Sequence, residues 1–195
     1  MPDDRPLKPD RFGPPSPWVL RCAPLVRPAG TVLDLACGGG RHARLFLARG
    51  NAVTAVDRDL AGVADLEGAP RFAAVAVDLE DGSPWPAGGP FDAVVVANYL
   101  HRPLFPAIMA AVAPGGVLIY ETFAAGNERF GRPANPDFLL RPGELLDAVR
   151  GRLTVLAYEH GREDDPRPAV VQRLCAWRPD EADATVPVIP PPSGG

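Results

Sequence analysis

Thr31-Val-Leu-Asp-Leu-Ala-Cys-Gly-Gly-Gly40 runs directly into Arg41-His-Ala-Arg-Leu-Phe-Leu-Ala-Arg-Gly50, and this stretch decides the fold. Val32 to Ala36 is a short apolar run with β-branched character. It breaks on three consecutive glycines before a helical period begins. The order is strand, tight glycine turn, helix. Glycine suits such a turn because it accepts positive φ without steric penalty, and its missing Cβ lets a ligand lie against the backbone. The following helix aims its unpaired N–H groups and the positive end of its dipole at whatever rests on the turn.

Asn51-Ala-Val-Thr-Ala-Val-Asp57 is a second apolar strand ending in an acid, and Asp57 follows Gly38 by 19 residues. That is close to the roughly 20 expected between a glycine turn and a ribose-binding carboxylate. The expected ligand is therefore a nucleoside derivative. Arg71-Phe-Ala-Ala-Val-Ala-Val-Asp78 repeats the pattern of an apolar strand closed by an acid. Phe91–Ala97 is a fourth strand ending in Asn98-Tyr-Leu-His101, and Val117–Thr122 is a fifth.

Between these strands the sequence predicts helices over 41–49, with Ala43, Phe46 and Leu47 on one face and Gly50 as the C-terminal cap, and over 104–113, stopped by Pro114-Gly-Gly116. A short helix over 59–67 is weakened by Gly62, and residues 82–90 read as a loop. Ahead of the first strand, Ser16-Pro17-Trp18 has the form of an N-cap followed by proline at the first helical position. After the fifth strand comes a long polar loop, 123–140, of a length that is often functional. A last helix is expected over 142–149. Strands over 153–160 and 170–177 follow, joined by an exposed charged tip at 161–166.

The expected fold is α/β: a doubly wound, mainly parallel seven-stranded sheet with a C-terminal antiparallel hairpin. Strand 52–56 lacks polar alternation, which predicts burial between two helical layers. In open sheets of this kind ligands bind beyond the C-terminal strand ends, where strand order reverses. Asp57, Asp78, Asn98 and Glu121 all sit at such ends, beside the turn at Gly38. The expected organisation is a flexible arm over 1–15, one domain over 16–178 and a disordered Pro/Gly-rich tail over 179–195.

Composition narrows the classes. At 195 residues, 46% hydrophobic and 23% charged, the chain fits one ordinary soluble domain. A net charge of −4 and the lack of a basic arm argue against nucleic acid and acidic membranes as partners. Cys22, Cys37 and Cys175 have no metal-ligand spacing, so neither a disulfide framework nor a metal site is expected. No apolar run approaches the ~18 residues of a membrane span. A cytoplasmic setting is the expectation, and the sequence carries no indication of oligomeric state.

With these residues in place, the chain resembles the class I S-adenosylmethionine-dependent methyltransferases over roughly residues 30–178, and thereby a Rossmann-like methyltransferase fold. Asp34-Leu-Ala-Cys-Gly-Gly-Gly40 resembles that family's opening motif, with Ala36 standing where the family usually has its first glycine. The arginine after the glycines resembles the tellurite-resistance-type branch. The resemblance implies S-adenosyl-L-methionine as cofactor. It implies that Ala36, Gly38 and Gly40 cradle the methionine part, with Asp34 near its ammonium. It further implies that Asp57, followed by Arg58, binds the ribose diol, that Asp78 and the backbone of Leu79 meet the adenine, and that Asn98 lines the methyl-transfer site. Asp34 could equally cap backbone N–H groups of the turn.

His101 and Tyr99 are candidate catalytic groups, a histidine being suited to proton transfer near neutrality; loop packing is the alternative. Glu121, Arg129 and Arg132, with Tyr120, are candidates for holding the acceptor, or else solvated loop residues. Arg41 could neutralise a carboxylate or cap the rim. Gly38-x-Gly40-x-x-Ala43 also satisfies the dinucleotide fingerprint, so an NAD(P)- or flavin-dependent oxidoreductase is the main rival reading. A non-catalytic domain that binds S-adenosylmethionine is the other. Asn98-Tyr-Leu-His101 lacks the Asn/Asp-Pro-Pro-aromatic pattern of base-amino methyltransferases, so a small-molecule acceptor is expected.

Overall fold

Residues 13–165, 167–182 and 185–191 are described in a computed structural model. Residues 1–12 of the expected arm, Pro166, and 183–184 and 192–195 of the expected tail lie outside them. Ser16 caps the first helix, α1 (Pro17–Cys22): its hydroxyl accepts the N–H groups of Trp18 at 3.1 Å and Val19 at 3.5 Å. A second tie holds this helix start in place, because the Ser16 N–H donates to His42 Nε2 at 3.2 Å. Burial pushes the His42 pKa down to about 3, so the ring stays a neutral acceptor at any working pH.

Seven strands form one sheet: β1 (Thr31–Leu35), β2 (Ala52–Asp57), β3 (Phe72–Ala76), β4 (Phe91–Ala97), β5 (Val112–Phe123), β6 (Thr154–Glu163) and β7 (Ala169–Trp177). Their order is β3-β2-β1-β4-β5-β7-β6. β1 to β5 pair in parallel, while β7 is antiparallel to both β5 and β6. The sheet is thus doubly wound and mainly parallel, with the C-terminal antiparallel hairpin that the sequence predicts. Strand order reverses between β1 and β4, which puts the crevice beyond their C-terminal ends.

Helices cover both faces. On one, Trp18, Val19 and Cys22 of α1 and Ala43 and Phe46 of α2 (Arg41–Ala48) pack on Val32, Val95 and Ile119. On the other, Ile108 and Met109 of α3 (Phe105–Ala110) and Leu145 and Val149 of α4 (Glu144–Val149) pack on Leu33, Val94 and Leu118. Burying a side chain of this size contributes about 1.5–3 kcal/mol. The two layers therefore hold β1 and β4 rigidly, and with them the strand ends that point at the crevice.

Several elements differ from expectation for local reasons. Residues 61–66 form a 3₁₀ turn instead of an α-helix. Gly62 in it lies against the glycine turn so closely that a Cβ there would stand 2.5 Å from the Gly38 carbonyl oxygen. No helix joins β3 to β4, so β2 is only partly covered: Ala52 and Thr54 are half-buried, and most of β3 is exposed as the sheet edge. The helix expected over 104–113 ends at Ala110, because the Ala111 carbonyl accepts the Phe91 N–H at 2.7 Å and starts β5 early. Pro114-Gly-Gly116 then forms an irregularity inside that strand. At the far end, Ile189 packs against the α1 layer and Arg21 Nε donates to the Pro190 carbonyl at 2.9 Å.

Candidate active site

The turn between β1 and α2 owes its shape to backbone torsions that few residues accept. Gly38 and Gly40 have φ of +51° and +71°, and Ala36 has φ +54°. Alanine there carries the steric cost of left-handed backbone that glycine avoids, about 1–2 kcal/mol. Gly40 also has no room for a side chain, since a Cβ would fall 2.3 Å from Val63 Cγ1. Gly38 is open on its outer side. The turn is therefore held from behind and bare in front.

Two carboxylates fix it. Asp57 Oδ2 accepts the Gly38 N–H at 2.8 Å, and its Oδ1 accepts the Asp59 N–H at 3.1 Å. Asp34, only 2% exposed, accepts the Ala43 N–H at 2.9 Å and so caps the first turn of α2 from inside the sheet. Burial pushes the Asp34 pKa up to about 7, against the opposing pull of that N–H. Cys37, also buried, has its thiol pushed up to about 12 by the same cause, which leaves it protonated and unsuited to attack.

A cleft of about 410 Å³ opens over the strand ends. Ala36, Asp57, Arg58, Asp78, Leu79 and Asn98, six of the residues expected to hold a cofactor, line it. Asp34, Gly38 and Gly40 shape the turn beneath without lining the cleft. Val77, Glu80 and Phe138 line it too, and no sequence pattern marks them. Tyr99 is also in its wall, with a buried hydroxyl close to Glu80. Burial first, then the neighbouring Glu80 and the charges of Asp78 and Asp57, raise its pKa, so Tyr99 keeps its proton at neutral pH and can offer a hydrogen bond but not release the proton.

Phe138 reaches the cleft from the 123–140 loop through a specific clamp. Arg102 grips Glu144 with two bonds of 2.7 and 3.0 Å, and donates to the carbonyls of Asp137 at 2.7 Å and Leu139 at 2.8 Å. These are the residues on either side of Phe138. Burial opposes ionisation of Glu144, yet the bonds from Arg102 and Arg141 outweigh it and bring its pKa down to about 2.

A second cleft, about 290 Å³, adjoins the first, and Asn98 lines both. Asn98 has φ +56°, a conformation that asparagine tolerates better than most residues. The walls of this cleft come from distant parts of the chain: Ser16 and Pro17, Arg41, Glu121 to Phe123, and Glu163, Asp165, Arg167 and Arg173 of the hairpin. Glu121 and Arg41 were visible from the sequence. Glu163 and Asp165, expected in an exposed tip, and Arg167 and Arg173 beyond that tip were not. The usable signal is Glu159 and Glu163 on one face of a strand, with Glu159 directly opposite Arg173 on the neighbouring one. Arg129 and Arg132 are exposed in the loop and line neither cleft, and half-buried His101 lines neither.

A doubly wound sheet with an antiparallel β7 thus carries a bare glycine turn, acids at successive strand ends and two adjoining clefts at its C-terminal edge. The model of the methyltransferase domain matches residues 8–161, and the chain belongs to that family. No curated protein matches the chain in sequence. Among solved structures, TehB from Haemophilus influenzae is similar over 82% of this chain and 61% of its own, with TM-score 0.66 and 18% identity. This chain therefore spans less than two thirds of that relative. The 1,6-didemethyltoxoflavin-N1-methyltransferase of Burkholderia thailandensis, solved with 1,6-didemethyltoxoflavin and S-adenosylhomocysteine, aligns over 84% of this chain and 77% of its own, with TM-score 0.62 and 22% identity. The N-methyltransferase NodS of Bradyrhizobium japonicum aligns over 84% and 93%, with TM-score 0.61 and 16% identity.

Proposed function

We propose that the chain is an S-adenosylmethionine-dependent methyltransferase acting on a small-molecule acceptor. The observation that carries this reading is that two clefts of unequal character meet at one residue, Asn98. The first has the size of a site for a nucleoside-bearing ligand, within the range of roughly 300–1,000 Å³. Its acids, Asp57, Asp78 and Glu80, suit a ligand that carries positive charge. When bound, S-adenosylmethionine supplies an electrophilic methyl on its sulfonium. Asp57 holds the ribose hydroxyls, for which an ionised carboxylate already accepting two N–H groups still has lone pairs free. Asp78 accepts from the adenine amino group and Leu79 packs beside the ring. The bare turn from Ala36 to Gly40 takes the methionine part.

The remaining work is orientation. Holding acceptor and methyl in line at about 3 Å removes entropy that a collision in solution must lose, which can be worth several kcal/mol of barrier. Asn98 stands where the two clefts join and is assigned to that alignment. A compact acceptor suits the second cleft's 290 Å³ and the acidic chain, and two of the structural relatives are named for methylating nitrogen on small molecules or as N-methyltransferases. The cytoplasm as compartment is part of the same proposal, in keeping with three buried free thiols. No helix among the described residues is long and apolar enough to cross a membrane. Against the oxidoreductase reading stands the antiparallel β7 inserted between β5 and β6, where dinucleotide-binding sheets of this order continue in parallel.

The test is calorimetric titration of the protein with S-adenosylmethionine and, separately, NAD. Saturable one-to-one binding of S-adenosylmethionine alone is expected. Asp57→Ala, which deletes two charge-assisted hydrogen bonds of about 1.5–3 kcal/mol each, should weaken it at least about 100-fold. Binding of NAD in place of S-adenosylmethionine would overturn the assignment.

A further inference from the structure

The second cleft carries a charge pattern that its size alone does not require. Glu121 at the end of β5 is 7% exposed, yet it lines the cleft beside Asn98, whose N–H donates to the Glu121 carbonyl at 2.9 Å. One carboxylate oxygen, Oε2, sits 3.3 Å from Arg173 Nε. The other, Oε1, has no hydrogen-bond partner among the described residues, and it is not shut off from the cleft. Arg173 is also shared: its guanidinium meets Glu159 at 3.7 Å and hydrogen-bonds Glu163 as well. One cation thus faces three carboxylates, of which only Glu159 has a second ion-pair partner among the described residues, Arg21 at 3.1 Å. Around the cleft three carboxylates (Glu121, Glu163, Asp165) face three guanidiniums (Arg41, Arg167, Arg173), and beside Asn98 the largely buried Glu121 keeps one carboxylate oxygen open to the cleft.

We propose that this cleft takes an amine, and that the methyl-accepting atom is a nitrogen whose N–H is held by Glu121 Oε1. The inference rests on the methyl-transfer reading and specifies its substrate class. The physical reason is the direction in which charge moves. A neutral amine uses its lone pair to form the N–C bond while the C–S bond breaks and its electron pair stays on sulfur. Positive charge then migrates from sulfur to nitrogen, and the product ammonium loses its extra proton to water. A fixed carboxylate on the nitrogen side favours that migration, in a site where charges interact more strongly than in bulk water. An anionic accepting atom, a thiolate or carboxylate, would have to sit against the Glu121 carboxylate at the transfer point and is disfavoured there. Arg41 and Arg167, on the remaining wall, make no ion pair among the described residues and are left for an anionic group elsewhere on the acceptor or cofactor.

The experiment supplies the full-length protein with methyl-radiolabelled S-adenosylmethionine and a panel of phenethylamine, an aliphatic diamine, a free amino acid, benzoate and thiophenol. Calorimetric binding of S-adenosylmethionine is measured in parallel. Label is expected on amines only, with a rate that rises with pH as the amine loses its proton. Glu121→Gln should lower kcat/KM for the best amine about tenfold or more, while the affinity for S-adenosylmethionine changes less than about twofold, which also reports that the variant is folded. Label on benzoate or thiophenol in preference to every amine, or amine turnover unchanged in Glu121→Gln, overturns the proposal while leaving the methyl-transfer reading intact. Absence of S-adenosylmethionine binding removes both.

Discussion

The two clefts that meet at Asn98 are built in opposite ways. The larger is assembled mostly from strand ends that follow one another closely in sequence, and it lies over a backbone turn, Ala36 to Gly40, that Asp57 ties to the next strand. The smaller is assembled from side chains that the fold brings together from α1, β5 and the hairpin, with Glu121 and Arg173 lying 52 positions apart. A nucleoside needs a bare backbone and fixed acids, which short motifs can supply. An acceptor needs particular side chains, which topology supplies. The first kind of site tolerates little change, and the second can be rewritten without touching the fold.

That contrast breaks most visibly at the one point where a distant element enters the larger cleft. The Arg102 clamp holds the backbone on either side of Phe138, so Arg102→Ala should weaken S-adenosylmethionine binding about tenfold, as should Phe138→Ala. This is the order expected from losing an aromatic contact of about 1–1.5 kcal/mol. Arg102→Lys should restore only part of it, because lysine cannot reproduce the two-pronged grip on Glu144. If Phe138→Ala binds as the wild type does, the loop is mere scaffold.

Asp34 tests the buried side of the turn. Its pKa is raised to about 7, so the folded state holds its proton more tightly than the unfolded chain, and stability from this group is lost as pH rises from about 4 through 7. Glu144 runs the other way: its contribution is present above about 4.5 and is lost as pH falls toward 2. Asp34→Asn should flatten the slope of melting temperature between pH 4 and 7 and raise Tm at pH 8 by about 5 °C. An unchanged slope would place the titration elsewhere.

The smallest effect is expected at Ala36. Replacing it by glycine relieves the left-handed strain at φ +54°, offset in part by the greater freedom of the unfolded chain. Tm should rise by about 2 °C. A fall would mean that the methyl group packs more favourably than its backbone is strained.

Much of this architecture was legible in the sequence because strand, turn and acid recur within short windows. Val32–Ala36 before the glycines, and the apolar runs closed by Asp57 and Asp78, are local patterns that survive folding unchanged. Where expectation and structure part, a tertiary contact decided the matter. Gly62 reads as a flaw in a helix, whereas it lets a 3₁₀ turn press on Gly38. Pro114-Gly-Gly116 reads as a helix stop, whereas the bond between Phe91 and Ala111 recruits that stretch to β5. His101, Arg129 and Arg132 carry the chemistry expected of a site, but their placement depends on loop paths that no period encodes. Glu163 and Arg173 show the reverse: ordinary hairpin residues that the sheet order delivers to the cleft wall.

The most direct measurement is a crystal structure of the protein with S-adenosylhomocysteine bound. The ribose hydroxyls are expected on Asp57, the adenine beside Asp78 and Leu79, and the sulfur facing Asn98 toward the cleft that holds Glu121. A nucleoside bound away from Asp57, or a sulfur turned from Asn98 so that no path leads into the second cleft, would contradict that placement.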